Sequence, residues 1–217
     1  MTSSGLEKAR QKVKEFRQRE QDILACSLRL FLEKGEDKVT VEMIAEEAEI
    51  GKGTVYKHFQ TKHEIYMQLM IQYEETLQEV LADITLEDDK DKLMRSYYKF
   101  RMQDPQKYAL FDRLESKCIS DAAMPELMQR LHDIRRSNLD RLEAIVEARV
   151  KEGMLIDCPA YFHICAAWAL VHGAVGLSQS NFFGQLIKDQ DAFFDFLMEV
   201  SVRLGVNYKN LIADESS

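Results

Sequence analysis

Along most of this chain apolar residues return every three or four positions, the period of a helix with one buried face. From Tyr66 the series Met70, Tyr73, Leu77, Leu81, Ile84 predicts a helix over 62–84. Leu93, Tyr97 and Phe100 begin another, and Ala109, Leu110, Leu114 and Cys118 follow Pro105. A long helix over 125–152 turns Leu127, Leu131, Ile134, Leu142 and Ile145 inward, and helices over 160–180 and 189–205 follow, the latter carrying Phe193, Leu197, Val200 and Leu204. The three prolines, Pro105, Pro125 and Pro159, each stand where a helix can open, because a first-turn residue has no intrahelical N–H bond to lose. Gly35, Gly153 and Gly205 read as stops. No β-branched or aromatic run alternates with polar residues for more than a few positions, so the expected fold class is all-α. The first fifteen or so residues and the stretch 209–217 are expected to fray.

Residues 22–62 hold three shorter patterns. Ile23, Leu24, Leu28 and Phe31 form one stripe, ended by Gly35. Thr40 fits an N-cap ahead of Val41, Ile44, Ala45 and Ala48, with Met43 where a capping-box glutamate would stand. A tight break at Glu49-Ile50-Gly51 precedes a helix whose buried pair is Val55 and Phe59. Two short helices across such a turn form a helix-turn-helix, whose second helix enters the DNA major groove.

Charge strengthens that reading. The 217 residues carry 29 Lys+Arg against 37 Asp+Glu, net -8, yet residues 50–62 hold three lysines, two threonines, a tyrosine, a histidine and no acid. Such a local reversal of sign suits phosphate binding, although a solvated helix of an unrelated all-α protein has the same composition. At 46% hydrophobic the chain can bury a core. Its longest apolar stretch, about 164–177, is interrupted by His172 and is expected to fall short of a membrane span, and the charged first thirty residues do not resemble a secretory signal. Cytoplasmic localisation is therefore expected. Cys26, Cys118, Cys158 and Cys165 form no C-x-x-C pair and read as buried thiols, Cys118 beside Lys117 being the least poor redox candidate.

The residues Thr40-Val41, Ile44-Ala45, Ala48, the run Ile50-Gly51-Lys52-Gly53-Thr54-Val55-Tyr56-Lys57-His58-Phe59, and Lys62 resemble the DNA-binding segment of the TetR family of bacterial transcriptional regulators. The resemblance implies a three-helix helix-turn-helix domain with its arm over residues 1–62 and a larger helical domain over 63–217 for effector binding and dimerisation. It places Lys52, Gly53, Thr54, Tyr56, Lys57 and His58 on the recognition helix. Lys52 and Thr54 would reach base edges, and Tyr56, His58, Lys62 and Thr40 would contact phosphate. Glu42 is expected to be solvent-exposed. The turn departs from the family in having Glu49-Ile50 where Ala or Gly is usual, with little consequence expected for the fold. The arm with Lys8, Arg10, Lys12, Lys14, Arg17 and Arg19 either tracks DNA or is an ordinary charged helix extension.

Residues 63–217 carry 17 basic and 26 acidic side chains, so this half is not a nucleic-acid surface. Ala166, Ala169, Gly173 and Gly176 form a stripe that lets helices approach closely, either a twofold mate or a helix of the same subunit, with Phe193, Leu197 and Val200 on the next helix. Phe100, Phe111, Leu114, Met128, Leu131, Trp168 and His172 are candidate walls of an effector cavity, or simply core, and Asn138 in an apolar register needs a partner. Arg101 and Arg113 are candidates to hold a ligand carboxylate. His58, His63, His132, His163 and His172 show no metal-ligand spacing, and neither a phosphate loop nor a nucleophile elbow occurs. The expectation is a homodimeric repressor on a palindromic operator, released by a small hydrophobic or amphipathic effector, with no enzymatic activity, cofactor or metal. A helical protein-interaction adaptor without DNA binding is the alternative.

Overall fold

The computed structural model describes residues 3–89, 91–118 and 124–207, and its regular structure there is helical, with one isolated bridge between Leu155 and Val206. The helices are α1 (Ser3–Lys34), α2 (Val41–Glu47), α3 (Lys52–His58), α4 (Lys62–Ala82), α5 (Lys92–Met102), α6 (Pro105–Cys118), α7 (Pro125–Lys151), α8 (Ala160–Gln179), α9 (Phe183–Leu186) and α10 (Gln190–Val202). The all-α fold expected from the periodicity is the one observed.

The helix ends follow local chemistry. Pro105 and Pro125 open α6 and α7, and Pro159 caps α8. Gly35, Gly153 and Gly205 take φ of 83°, 75° and 72°, left-handed values that other residues adopt at a cost. At Gly205 space is limiting as well, since a Cβ there would overlap the His163 ring. The predicted end of α4 at 84 moves back to Ala82. There Arg141 of α7 donates to the carbonyls of Leu81, Ala82 and Ile84 at 2.6, 3.0 and 2.8 Å, which satisfies acceptors left open by the helix end. α1 begins at Ser3, so the stretch expected to fray is helical from that residue, while 209–217 lies outside the described residues.

The chain divides into two compact units, residues 1–72 with 110–128, and residues 73–109 with 129–217. In the first, Ile23, Leu24, Leu30, Phe31, Ile44, Val55, Phe59, Ile65, Tyr66, Leu110 and Leu114 are buried. In the second, α5, α8 and α10 pack pairwise, and Leu77, Leu81, Tyr97, Phe100, Leu131, Ile145, Ala167, Val171 and Val175 are buried. Each such aliphatic or aromatic side chain contributes about 1.5–3 kcal/mol.

Two expectations fail here. Cys118 alone of the cysteines is buried, which removes it as a redox candidate; Cys26 and Cys158 are half-buried and Cys165 is exposed. α8 is twenty residues long with mean hydropathy 1.4, long and apolar enough to cross a membrane by length and composition, because His172 interrupts its sequence without making it polar. Only Ala167, Val171, Ala174 and Val175 of that helix are buried.

Candidate nucleic-acid interface

α2 and α3 pack on each other and α2 on α1, with Ile44, Ala45 and Val55 turned inward. Thr40 caps α2, its hydroxyl accepting from the Met43 N–H at 3.3 Å, and stays exposed. The turn is a Schellman arrangement: the Ile50 N–H reaches the Ala45 carbonyl at 2.9 Å and the Glu49 N–H reaches Glu46 at 3.1 Å. Its left-handed position is held by Glu49, at φ 53°, where glycine is usual. The glutamate in the turn is therefore not neutral for the fold, since an L-residue there costs roughly 1–2 kcal/mol. Glu49→Gly is expected to stabilise the protein by about 0.5–1 kcal/mol, the gain being reduced by the freer unfolded glycine. An unchanged denaturation midpoint in urea would show the turn to be unstrained.

α3 presents Lys52, Gly53, Tyr56 and Lys57 to solvent and leaves Thr54 half-buried. A Cβ at Gly53 would meet nothing within 4 Å, so the protein itself leaves this position open to a close neighbour. Lys52 is ion-paired to Glu42 across the turn and its Nζ lies 5.7 Å from the Tyr56 ring centroid. The hydrogen bond between them holds the Glu42 carboxyl below its usual range and the Lys52 ammonium above its own. Glu42 is thus exposed but engaged, and it screens Lys52.

Two residues expected at phosphate sit differently. His58 has a side chain only 6% exposed, turned to α1, where its ring packs at a tilt on that of Phe16 with centroids 4.0 Å apart and lies 3.7 Å from Glu20. The signal was in the period, because His58 follows buried Val55 by three residues and so shares its face. Lys62 donates from Nζ to the carbonyls of Glu36 and Val39, both at 3.0 Å, closing the loop between α1 and α2. The same loop is held by buried Glu36, which receives Arg113 and Lys117 of α6 at 3.3 Å. Burial pushes the Glu36 carboxyl up, but a backbone N–H and the two cations outweigh it and leave it below its usual range. Arg113 thereby serves a protein carboxylate, as does buried Arg101 with Glu74 at 3.4 Å.

The fold and this surface agree with what the chain resembles. Residues 23–69 match the profile of bacterial regulatory proteins of the tetR family, and residues 91–201 match that of the tetracyclin repressor-like C-terminal domain. The chain belongs to the TetR family of DNA-binding transcriptional regulators. It is 23% identical over 141 residues to the uncharacterized HTH-type transcriptional regulator YhgD of Bacillus subtilis (strain 168), covering 63% of this chain and 71% of that one. Its fold is similar to that of a tetR-family regulatory protein from Rhodococcus RHA1 (TM-score 0.66, 19% identity, 86% of this chain and 96% of that one). It is also similar to FadR from Bacillus subtilis, solved in complex with stearoyl-CoA (TM-score 0.58, 19% identity, 84% and 97%).

Beyond the helix-turn-helix, the residues expected to line an effector cavity are divided between the two units. Phe111, Leu114 and Met128 belong to the first unit and Phe100, Leu131, Asn138, Trp168 and His172 to the second. Leu114 and Leu131 are packed core, and Trp168 is 51% exposed with its ring against His172. Asn138 is buried and donates to the Glu74 carbonyl at 3.1 Å, and among the described residues its Oδ1 has no partner. The second unit does contain a largely apolar cavity of about 90 Å³ among α5, α7, α8 and α10, lined by Met94, Tyr97, Ile145, Val146, Ile164, Ala167 and other residues, with Asp91, Arg149, His163 and Ser201 as polar points. None of the expected wall residues lines it.

On α8 the exposed residues Phe162, Cys165, Ala166, Ala169, Gly173 and Gly176 fall on one face, and a Cβ at Gly173 or Gly176 would meet nothing within 4 Å. Among the described residues nothing packs against Gly173 or Gly176 of the small-residue stripe. On α10, Phe196 is 62% exposed, while Phe193, Leu197 and Val200 are half-buried beside it.

Proposed function

We propose that this TetR-family regulator is a cytoplasmic, effector-responsive repressor that binds a palindromic operator as a homodimer. The observation that carries the reading is the uncovered apolar face of α8 and α10, with small residues at its centre and Trp168 and Phe196 exposed. An apolar surface of this kind is rare on a monomer and marks an interface. A twofold four-helix contact through Ala166, Ala169, Gly173, Gly176, Phe193, Leu197 and Val200 would cover it. Twofold symmetry in turn suits two half-sites about 34–36 Å apart. Thr40, Lys52, Gly53, Thr54, Tyr56 and Lys57 form the DNA surface, Lys52 exchanging Glu42 for DNA. Lys62 keeps a part through its remaining donor, and His58 supports the recognition helix from behind. Functionally the division falls at 62/63, the first residue of α4 closing the DNA-binding domain and the rest serving effector and partner.

The effector is a small hydrophobic or amphipathic molecule held by the apolar cavity of α5, α7, α8 and α10. The likeness to FadR, solved with stearoyl-CoA, supports that class. The cavity's 90 Å³ is well below the roughly 300–1,000 Å³ of drug-sized sites, so binding must open it. Opening that displaces α4 would change the spacing of the two recognition helices, and a coupling of about 1–3 kcal/mol lowers operator affinity 5–150-fold. Nothing in this cycle calls for catalysis, a cofactor or a metal. The test is sedimentation of the purified chain combined with selection of duplexes from a random-sequence pool. A dimer that enriches an inverted repeat, with binding weakened by long-chain acyl compounds, is expected. A stable monomer, or a dimer that enriches nothing and shows no salt-dependent DNA binding, as an adaptor would, overturns the proposal.

A further inference from the structure

α1 is longer than its helix-turn-helix needs. The tetR-family match begins at residue 23, whereas α1 begins at Ser3, so roughly five turns precede the matched domain. Every side chain from Leu6 to Arg19 is exposed, so these turns add almost nothing to the core. Residues 3–22 hold six cations against Glu7, Glu15, Glu20 and Asp22, in a chain of net charge -8.

At about 100° per residue those charges sort unequally. Lys8, Lys12 and Arg19 share a flank with Glu15, and Arg19 is paired to Asp22 at 3.8 Å. Arg10, Lys14 and Arg17 form the opposite flank, with Glu7 at its N-terminal end. Together with Val13, Gln18 and Gln21 they line a shallow surface depression that contains no acid. Among the described residues none of these three cations has an ion-pair partner.

The root of this row is fixed to the DNA-binding helices. Phe16, next to Arg17, packs against His58 at the end of α3, and Gln21 accepts from Gln72 of α4 at 2.8 Å. The row is thus a rigid continuation of the recognition unit. From Arg10 to Arg17 it spans about 10 Å, over which a duplex carries roughly six phosphate charges.

We infer that the Arg10–Lys14–Arg17 row of α1 is a second DNA-contacting element, binding backbone phosphates of the duplex beyond the segment read by α3. This rests on the DNA-binding function of the helix-turn-helix and adds a surface outside the matched family domain. Phosphate contacts of this kind position the protein and strengthen binding without reading sequence. The apolar positions Leu6, Ala9, Val13 and Phe16 beside the cations also resemble a helix lying on a lipid surface. Phe16 is already engaged by His58, however, and so is not free to insert.

The test uses the full chain, the triple variant Arg10→Gln/Lys14→Gln/Arg17→Gln with helical content checked by circular dichroism, and a mixed-sequence duplex of about 40 base pairs titrated over salt. Every cation withdrawn from a phosphate flattens the slope of log affinity against log salt by about 0.9. Withdrawal of two or three per protomer, four to six per bound dimer, predicts a slope shallower by roughly 4–5 and an affinity lower by roughly 10³-fold or more at about 0.1 M salt. Lys57→Gln on α3 serves as the reference, with a change of about one per protomer and so about two per dimer. An unchanged slope in the triple variant while Lys57→Gln still flattens it overturns the inference and leaves the helix-turn-helix reading intact. A parent chain that binds no duplex overturns both. A triple variant that keeps duplex affinity but loses binding to anionic phospholipid vesicles overturns the inference in favour of a lipid surface.

Discussion

Glu74→Gln is expected to lower stability by about 3 kcal/mol, the low end of the 3–5 kcal/mol lost when one member of a buried ion pair is removed. Glu74 and Arg101 are 6% and 8% exposed, and they meet through a single hydrogen bond at 3.4 Å. The guanidinium is otherwise enclosed by the rings of Tyr73, Phe100, Tyr97 and Tyr108, whose centroids lie 5.0–5.7 Å away. Burial works against the charged Arg101, but Glu74 and the neighbouring tyrosines overcome it and push its pKa up; a guanidinium is not deprotonated in proteins, so it stays charged when Glu74 is neutralised. The four ring faces recover part of the loss through cation–π attraction, which places the effect at the low end. Arg101→Met should cost less, because Glu74 keeps Arg135 at 3.7 Å. Replacing both with methionine should restore most of the difference, since an apolar pair of similar volume is often neutral. Urea denaturation with an unchanged m-value is the measurement. A loss under about 1 kcal/mol for Glu74→Gln would mean that water reaches Arg101.

That cluster shows how far the sequence could be read. The helical layout was legible because Pro105, Pro125, Pro159 and the glycine stops punctuate strong periodic stripes. α9 was not, because Phe182-Phe183-Gly184 is too short to show a period. The helix-turn-helix was legible as a motif, yet the neighbour each side chain meets was not. Arg101 looks like any surface arginine until Glu74, from another helix, is brought against it. Lys62 looks like a phosphate ligand until the carbonyls of residues 36 and 39 arrive beside it. Cavities are harder still. A periodic stripe says which face is buried, but unfilled volume depends on how side chains from four helices interdigitate. The apolar stripes therefore offered Leu114 and Leu131, which are fully packed, and passed over Tyr97, Val146 and Ala167, which line the void.

Gly173→Arg is expected to split the proposed dimer while leaving the protomer folded, and to reduce affinity for an inverted-repeat duplex by roughly 10²–10⁴, the avidity that disappears when two linked sites become one. Two facts separate the effects. Gly173 lies inside α8, exposed, with open space around an added Cβ, so nothing in the protomer resists a side chain there. Any residue better suited to a helix should even stabilise that helix, by up to about 1 kcal/mol for alanine. At a close helix–helix contact the same change is unfavourable, because small residues at the centre set the distance of approach and a buried unpaired guanidinium has no compensating partner. Gly173→Ala is the graded control: helix propensity favours it, while the interface loses only the clearance of one methyl group. Sedimentation and duplex binding measured together decide the matter. A Gly173→Arg chain that stays dimeric with unchanged affinity would move the twofold axis off this face of α8. A monomeric chain that binds as tightly as the parent would mean that one recognition helix is sufficient, and the palindrome would then have no mechanical basis.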